Sequence, residues 1–119
     1  MRLFAPVAGL AAAGLLLAPA PARAASFDCA RASAPDERAI CADPALSALD
    51  SEMGGLWFAY SRLPMLMGGN GNRHDEARTF LAARRRCGGD TGCLTALYGQ
   101  RITALQDAIT AYIKAMPPP

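Results

Sequence analysis

The chain has 119 residues, with 12 Lys or Arg, 10 Asp or Glu and one His, a formal net charge of +2, and 52% of its residues are hydrophobic. That length holds one small domain and no more. Arg2 and Arg23 lie in residues 1–24, which hold no acidic residue, so a chain without that segment carries ten charges of each sign and is formally neutral. Neutrality argues against nucleic acid and anionic lipid as partners, since both demand a basic excess.

The first 24 residues read as an export signal. Arg2 supplies the positive start, Leu3 to Leu17 form an apolar run rich in Ala and Leu, and Pro19-Ala20-Pro21 breaks it. Ala22-Arg23-Ala24 then satisfies the small-x-small rule for cleavage after Ala24. The run is interrupted well short of the roughly 20 apolar residues a membrane span needs. A lipid anchor would need a cysteine directly after the apolar run, whereas Cys29 lies beyond the cut, after Ser26-Phe27-Asp28. The expectation is a periplasmic or secreted bacterial protein with no stable membrane anchor after cleavage, and residues 25–119 as a single helical domain.

Ser33-Ala34-Pro35-Asp36-Glu37 predicts a short helix running to about Cys41, with Ser33 as N-cap, Pro inside the first turn and acidic residues at the positive end. Asp43-Pro44 opens a longer helix. Its apolar positions, Leu46, Leu49, Met53, Leu56, Trp57, Tyr60 and Leu63, have the three-four spacing of one buried face. Gly54-Gly55 interrupts that helix, either to permit close helix contact or as a tolerated weakness of about 1 kcal/mol each. Pro64 to Asn72, with Gly68-Gly69 and Gly71, predicts a loop, and helix is expected to resume near His74 or Asp75. That helix stops at Cys87-Gly88-Gly89. Asp90 caps a last helix whose stripe runs through Leu94, Leu97, Tyr98, Ile102, Leu105, Ile109, Tyr112, Ile113 and Met116 before Pro117. No stretch alternates with a period of two. The fold expected is all-α: a small disulfide-stapled bundle of three main helices plus a short N-terminal one.

Four cysteines in an exported chain read as disulfides, because the periplasm and the cell exterior are oxidising. They permit three pairings, and the sequence does not choose among them. Helix geometry favours the local set, Cys29 with Cys41 and Cys87 with Cys93, which would contribute about 3 and about 2.4 kcal/mol by chain entropy. A four-thiolate zinc site is disfavoured, because neither pair has the short spacing of a zinc knuckle.

Three stretches resemble the LprI lysozyme-inhibitor family of small exported bacterial domains. The first is Phe27-Asp28-Cys29-Ala30 with Glu37-Arg38-Ala39-Ile40-Cys41. The second is Asp43-Pro44-Ala45-Leu46-Ser47-Ala48-Leu49-Asp50, with Tyr60 beyond it. The third is Arg78-Thr79-Phe80-Leu81 through Arg84 to Cys87, then Cys93-Leu94, Tyr98, Arg101 and Leu105. Phe80 stands where the family usually has Trp, and the Gly54-Gly55 and Pro64-to-Asn72 stretches replace what is continuous helix-forming sequence in relatives. The resemblance implies a helical, disulfide-stapled exported domain and, as function, inhibition of lysozyme.

No catalytic set accompanies this pattern. His74 is the only histidine and has no nucleophile elbow or Cys/His pairing beside it. Asp36, Glu37, Asp43, Asp50, Asp75, Glu76 and Asp90 mostly fall at helix starts, where capping suffices. Met65, Met67 and His74 have the soft donors that suit copper(I), but Met serves equally as apolar filling, and no cofactor or metal is expected. Among the family-pattern residues, Asp43, Pro44, Leu49, Asp50, Tyr60, Arg78, Phe80, Leu81, Arg84, Leu94, Tyr98 and Arg101 are read as structural, with Arg101 paired to a carboxylate at the core edge.

The function expected is therefore non-enzymatic: binding and occlusion of a lysozyme-type muramidase, whose cleft relies on two carboxylates. Arg73 and His74, on the expected Gly68-to-Asp75 loop, are the candidate partner-contacting residues, through hydrogen bonds to those carboxylates. The alternative is an envelope interaction or structural module with no muramidase target.

Overall fold

The computed structural model describes residues 25–118; the expected signal segment lies outside them. The described residues are all-α, as expected, and run as a 3-10 turn (Cys29–Arg31) and four helices: α1 (Pro35–Ala42), α2 (Pro44–Ser61), α3 (Met67–Cys87) and α4 (Thr91–Ala115). No helix among them is long and apolar enough to cross a membrane.

The start of α1 differs from expectation. Its N-cap is Ala34, one residue after Ser33, and the free N–H groups are met from inside the helix by Glu37. The Glu37 carboxylate accepts from the backbone N–H of Ser33 at 3.0 Å and of Ala34 at 3.2 Å. Pro35 fills the first helical position, where its missing N–H costs nothing. Asp43 caps α2 as expected, accepting from Ala45 and Leu46. Ser47 Oγ donates to the Ile40 carbonyl at 2.6 Å, locking the end of α1 to the start of α2.

Helix α3 begins at Met67, so most of the expected Pro64-to-Asn72 loop is helical. Gly and Asn are poor helix formers, and their propensity is overridden by a tertiary anchor. The buried Arg73 guanidinium donates from Nε to Asn70 Oδ1 at 2.9 Å, and from Nη1 to the carbonyls of Tyr60 at 2.8 Å and Leu63 at 2.9 Å. It thereby ties the first turns of α3 to the end of α2, a region that carries negative dipole charge. At the other end α3 stops as expected: Gly88 has φ +57°, a conformation a side chain would strain. Asp90 then caps α4, accepting from Cys93 N–H at 2.9 Å.

Ile40, Leu46, Phe80, Leu94 and Tyr98 form the centre of the core, so every helix contributes. The Phe80 and Tyr98 rings meet edge to face, 5.4 Å between centroids. The α4 stripe is buried only as far as Leu105: Ile109 and Tyr112 are half-buried, and Ile113 and Met116 are exposed. With 25 residues against 18 in α2, α4 is the longer of this packed pair by about 10 Å at 1.5 Å per residue.

An extended arm precedes α1. Ala25 and Phe27 pack against the core, and Ser26 lies on α2 at Gly54. A Cβ on Gly54 would stand 2.8 Å from the Ser26 Cβ, whereas one on Gly55 would meet nothing within 4 Å. Gly54 thus serves close approach, and Gly55 is merely tolerated. The disulfides have the local pairing expected. Cys29–Cys41 pins the arm to the last turn of α1, and Cys87–Cys93 staples the α3–α4 corner, with Cα separations of 5.7 and 5.6 Å.

Candidate functional site

Two constellations stand out, a polar one inside the bundle and a largely apolar one at its surface. The interior one joins all four helices. Arg84 on α3 donates from Nε to Asp36 Oδ2 on α1 at 2.8 Å, and its Nη1 lies 3.9 Å from Asp50 Oδ1 on α2. Tyr98 on α4 donates its hydroxyl to the same Asp50 oxygen at 2.7 Å. The second Asp50 oxygen accepts the backbone N–H of Ser26 at 2.5 Å. Phe27 covers the guanidinium, its ring centre 5.4 Å from Arg84 Cζ.

Asp36 is 1% exposed and Asp50 is fully buried, so neither carboxylate is within reach of a substrate. Burial, reinforced by the hydrogen bond to Asp50, pushes the Tyr98 hydroxyl far above its ordinary range and keeps it protonated. Burial also works against the charge on Arg84, but the Tyr98 oxygen and the Asp36 carboxylate more than offset it and raise its pKa. A buried network of this kind, with Arg84 and Tyr98 donating to Asp36 and Asp50, is a structural clamp. Asp36 was read from sequence only as a helix-start acid. Its position four residues before Ile40 places it on the inward face of α1, and that spacing was the available signal.

The surface constellation is the α2–α3 corner. Leu66 is 89% exposed and Met67 92%, and Phe58 in the last turn of α2 also faces solvent. Arg62 lies over the Phe58 ring, its Cζ 3.6 Å from the ring centre. His74 is exposed on α3 and meets Trp57 edge on at 5.6 Å. Arg73, expected beside it as a contact residue, is only 6% exposed and turned into the three bonds described above. A helix in place of the loop sends adjacent side chains about 100° apart, so Arg73 and His74 cannot share a face.

No protein family, curated protein or solved structure matches this chain.

The remaining family-pattern residues divide by position. Asp43 caps α2 from just ahead of Pro44. Leu49 is half-buried, and Tyr60, Phe80 and Leu94 are buried. Arg101 has a side chain nine-tenths buried, with Nη1 3.5 Å from Glu76 Oε2, its guanidinium 5.9 Å from the Trp57 ring centre, and its Nε without a hydrogen bond. It borders an open groove of about 700 Å³ between α3 and α4, also lined by Thr79, Ala83, Gln100 and Ala104. Leu81 and Arg78 instead face outward. Arg78 pairs with Asp75 on the surface, an exposed contact of little energetic weight. Among the described residues no three His, Cys, Asp or Glu side chains converge where a metal ion would sit.

Proposed function

We propose that the chain is an exported, non-enzymatic binding module that occludes a lysozyme-type muramidase through its α2–α3 corner. The observation that carries a binding role is the exposure of Leu66 and Met67 on a scaffold stapled by two disulfides. Large apolar side chains held out to solvent mark contact surfaces, and a rigid scaffold keeps their ordering cost low. Arg62 and His74, both exposed at this corner, supply hydrogen-bond donors suited to a carboxylate-lined cleft. The muramidase as target follows from the family resemblance in the sequence. The two disulfides fit an oxidising compartment and support a periplasmic or secreted location.

The test is a lysis assay with purified protein against both animal and bacterial muramidases. Inhibition that saturates at a one-to-one ratio is expected for at least one of them. Full activity of every muramidase at excess protein would overturn the reading and leave an envelope module in its place.

A further inference from the structure

The interior clamp is short of one positive charge. It holds two buried carboxylates, Asp36 and Asp50, against a single guanidinium, and Arg84 bonds directly to Asp36 while standing 3.9 Å from Asp50. Asp50 is the more deeply buried of the two and accepts only neutral donors at hydrogen-bond distance, the Tyr98 hydroxyl and the Ser26 amide. A buried carboxylate without a full counter-charge is costly. The Ser26 amide comes from the residue directly after Ala25, and Ala25 would be the first residue of a chain cleaved after Ala24.

We propose that removal of the export signal completes this clamp: the new α-ammonium of Ala25 becomes the ion-pair partner of Asp50. The proposal rests on the reading of residues 1–24 as a cleaved signal. The Ala25 nitrogen is three bonds, about 4.3 Å of contour, from the Ser26 nitrogen. Because the Ser26 nitrogen is 2.5 Å from Asp50 Oδ2, the α-nitrogen lies inside about 7 Å of that oxygen whatever the torsions. Ala25 itself is packed against the core, and Gly54 lets the arm lie close to α2, so the amine is held near the site. In the uncleaved chain the same nitrogen is a neutral amide. Cleavage therefore converts a neutral donor into a cation beside Asp50, and the fold gains an ion pair only after processing.

The titratable and charged groups of the clamp beside which the amine would sit are Asp50 from α2, Tyr98 from α4, Arg84 from α3 and Asp36 from α1, with Asp28 on the arm itself. The Asp50 carboxylate favours the ammonium, while Arg84 and packing against the core oppose it; with the ion pair formed, its pKa should lie above the ordinary 7.7–8.0. The resulting stabilisation is present below pH of about 8 and is lost as pH rises through the raised folded value.

The experiment compares chain 25–119 released with a free Ala25 amine against the same chain acetylated at that amine. The chain contains one other amine, Lys114, so isotopic methylation gives two resolvable NMR signals whose titrations are read separately. Expected are a melting temperature roughly 4–8 °C lower for the acetylated form at pH 7 and closure of that gap by about pH 10. The Ala25 amine should titrate above Lys114-independent reference values for a free α-amine, and Asp50→Asn should return it to them. Equal melting of the two forms at pH 7, or an amine titrating at its ordinary value, would overturn the proposal. If Asp50→Asn does not fold, acetylation and titration of the unsubstituted chain still decide. Mass analysis of exported protein tests the underlying reading separately: a first residue other than Ala25 overturns the maturation step, even where the prepared chain shows the pair.

Discussion

Arg84 and Asp36 are 48 positions apart in sequence and meet through an Nε–Oδ2 hydrogen bond of 2.8 Å, with both side chains almost entirely out of solvent. Removing one partner of such a pair strands the other. Arg84→Ala is expected to lower stability by about 3–5 kcal/mol, whereas Arg84 and Asp36 replaced together by apolar residues of similar volume should cost less, the remainder being the loss of the guanidinium beside Asp50. Urea denaturation of the three proteins measures this, and equal losses for the single and double variants would show that the pair is not the source.

The two adjacent glycines of α2 should behave oppositely. Gly55→Ala enters open space in a helix and is expected to stabilise by about 0.5–1 kcal/mol. Gly54→Ala meets the Ser26 Cβ at 2.8 Å and must displace the arm, which removes the Ser26 bond to Asp50. Its helix-propensity gain should therefore be cancelled or reversed. Thermal melts of both variants read the difference directly.

Glu37 supplies a pH dependence of known sign. Backbone N–H bonds from Ser33 and Ala34 hold its carboxyl below the ordinary value, so the folded state binds its proton less readily than the unfolded chain. Its contribution is present above the unfolded pKa of about 4.3 and is lost as pH falls through the lower folded value. Glu37→Gln should melt below the unsubstituted protein at pH 7, with the gap closing toward pH 3. At the alkaline end Tyr98 acts in reverse: its raised folded pKa makes stability fall as pH climbs past the unfolded value of about 10.

Reduction should loosen the domain without abolishing helix. Two loop closures contributing about 5 kcal/mol together disappear, while the helical stripes still bury apolar area. Circular dichroism melts with and without reductant test this, and non-reducing peptide mapping should yield Cys29–Cys41 and Cys87–Cys93 fragments.

For the α2–α3 corner, the structure separates two residues that adjoin in sequence. Arg73→Ala should lower stability, because it strands the Tyr60 and Leu63 carbonyls. His74→Ala, Leu66→Asp and Met67→Asp should leave melting nearly unchanged and weaken muramidase inhibition roughly tenfold or more, which corresponds to about 1.4 kcal/mol or above. An inhibiting protein whose three corner variants inhibit equally well would place the contact surface elsewhere.

Local chemistry was enough to determine the helices whose signals lie within a few residues: the Asp43-Pro44 and Asp90 starts, the Cys87-Gly88 stop, and the inward faces of α2 and α4 up to Leu105. The cysteine pairing was favoured by those helix ends but not chosen by them, and the fold decided it by laying the arm against α1 and closing the α3–α4 corner. Tertiary structure decided whatever depends on partners distant in sequence. Arg73 turned a glycine-rich stretch into helix because its guanidinium found the Tyr60 and Leu63 carbonyls at and just beyond the end of α2. Asp36 and Asp50 became a buried clamp because Arg84 and Tyr98 arrive from two other helices. Gly54 acquired a purpose only when the arm lay across it. Periodicity and capping report the residues beside a position, whereas burial of charge is favourable only when groups far apart in the chain arrive together.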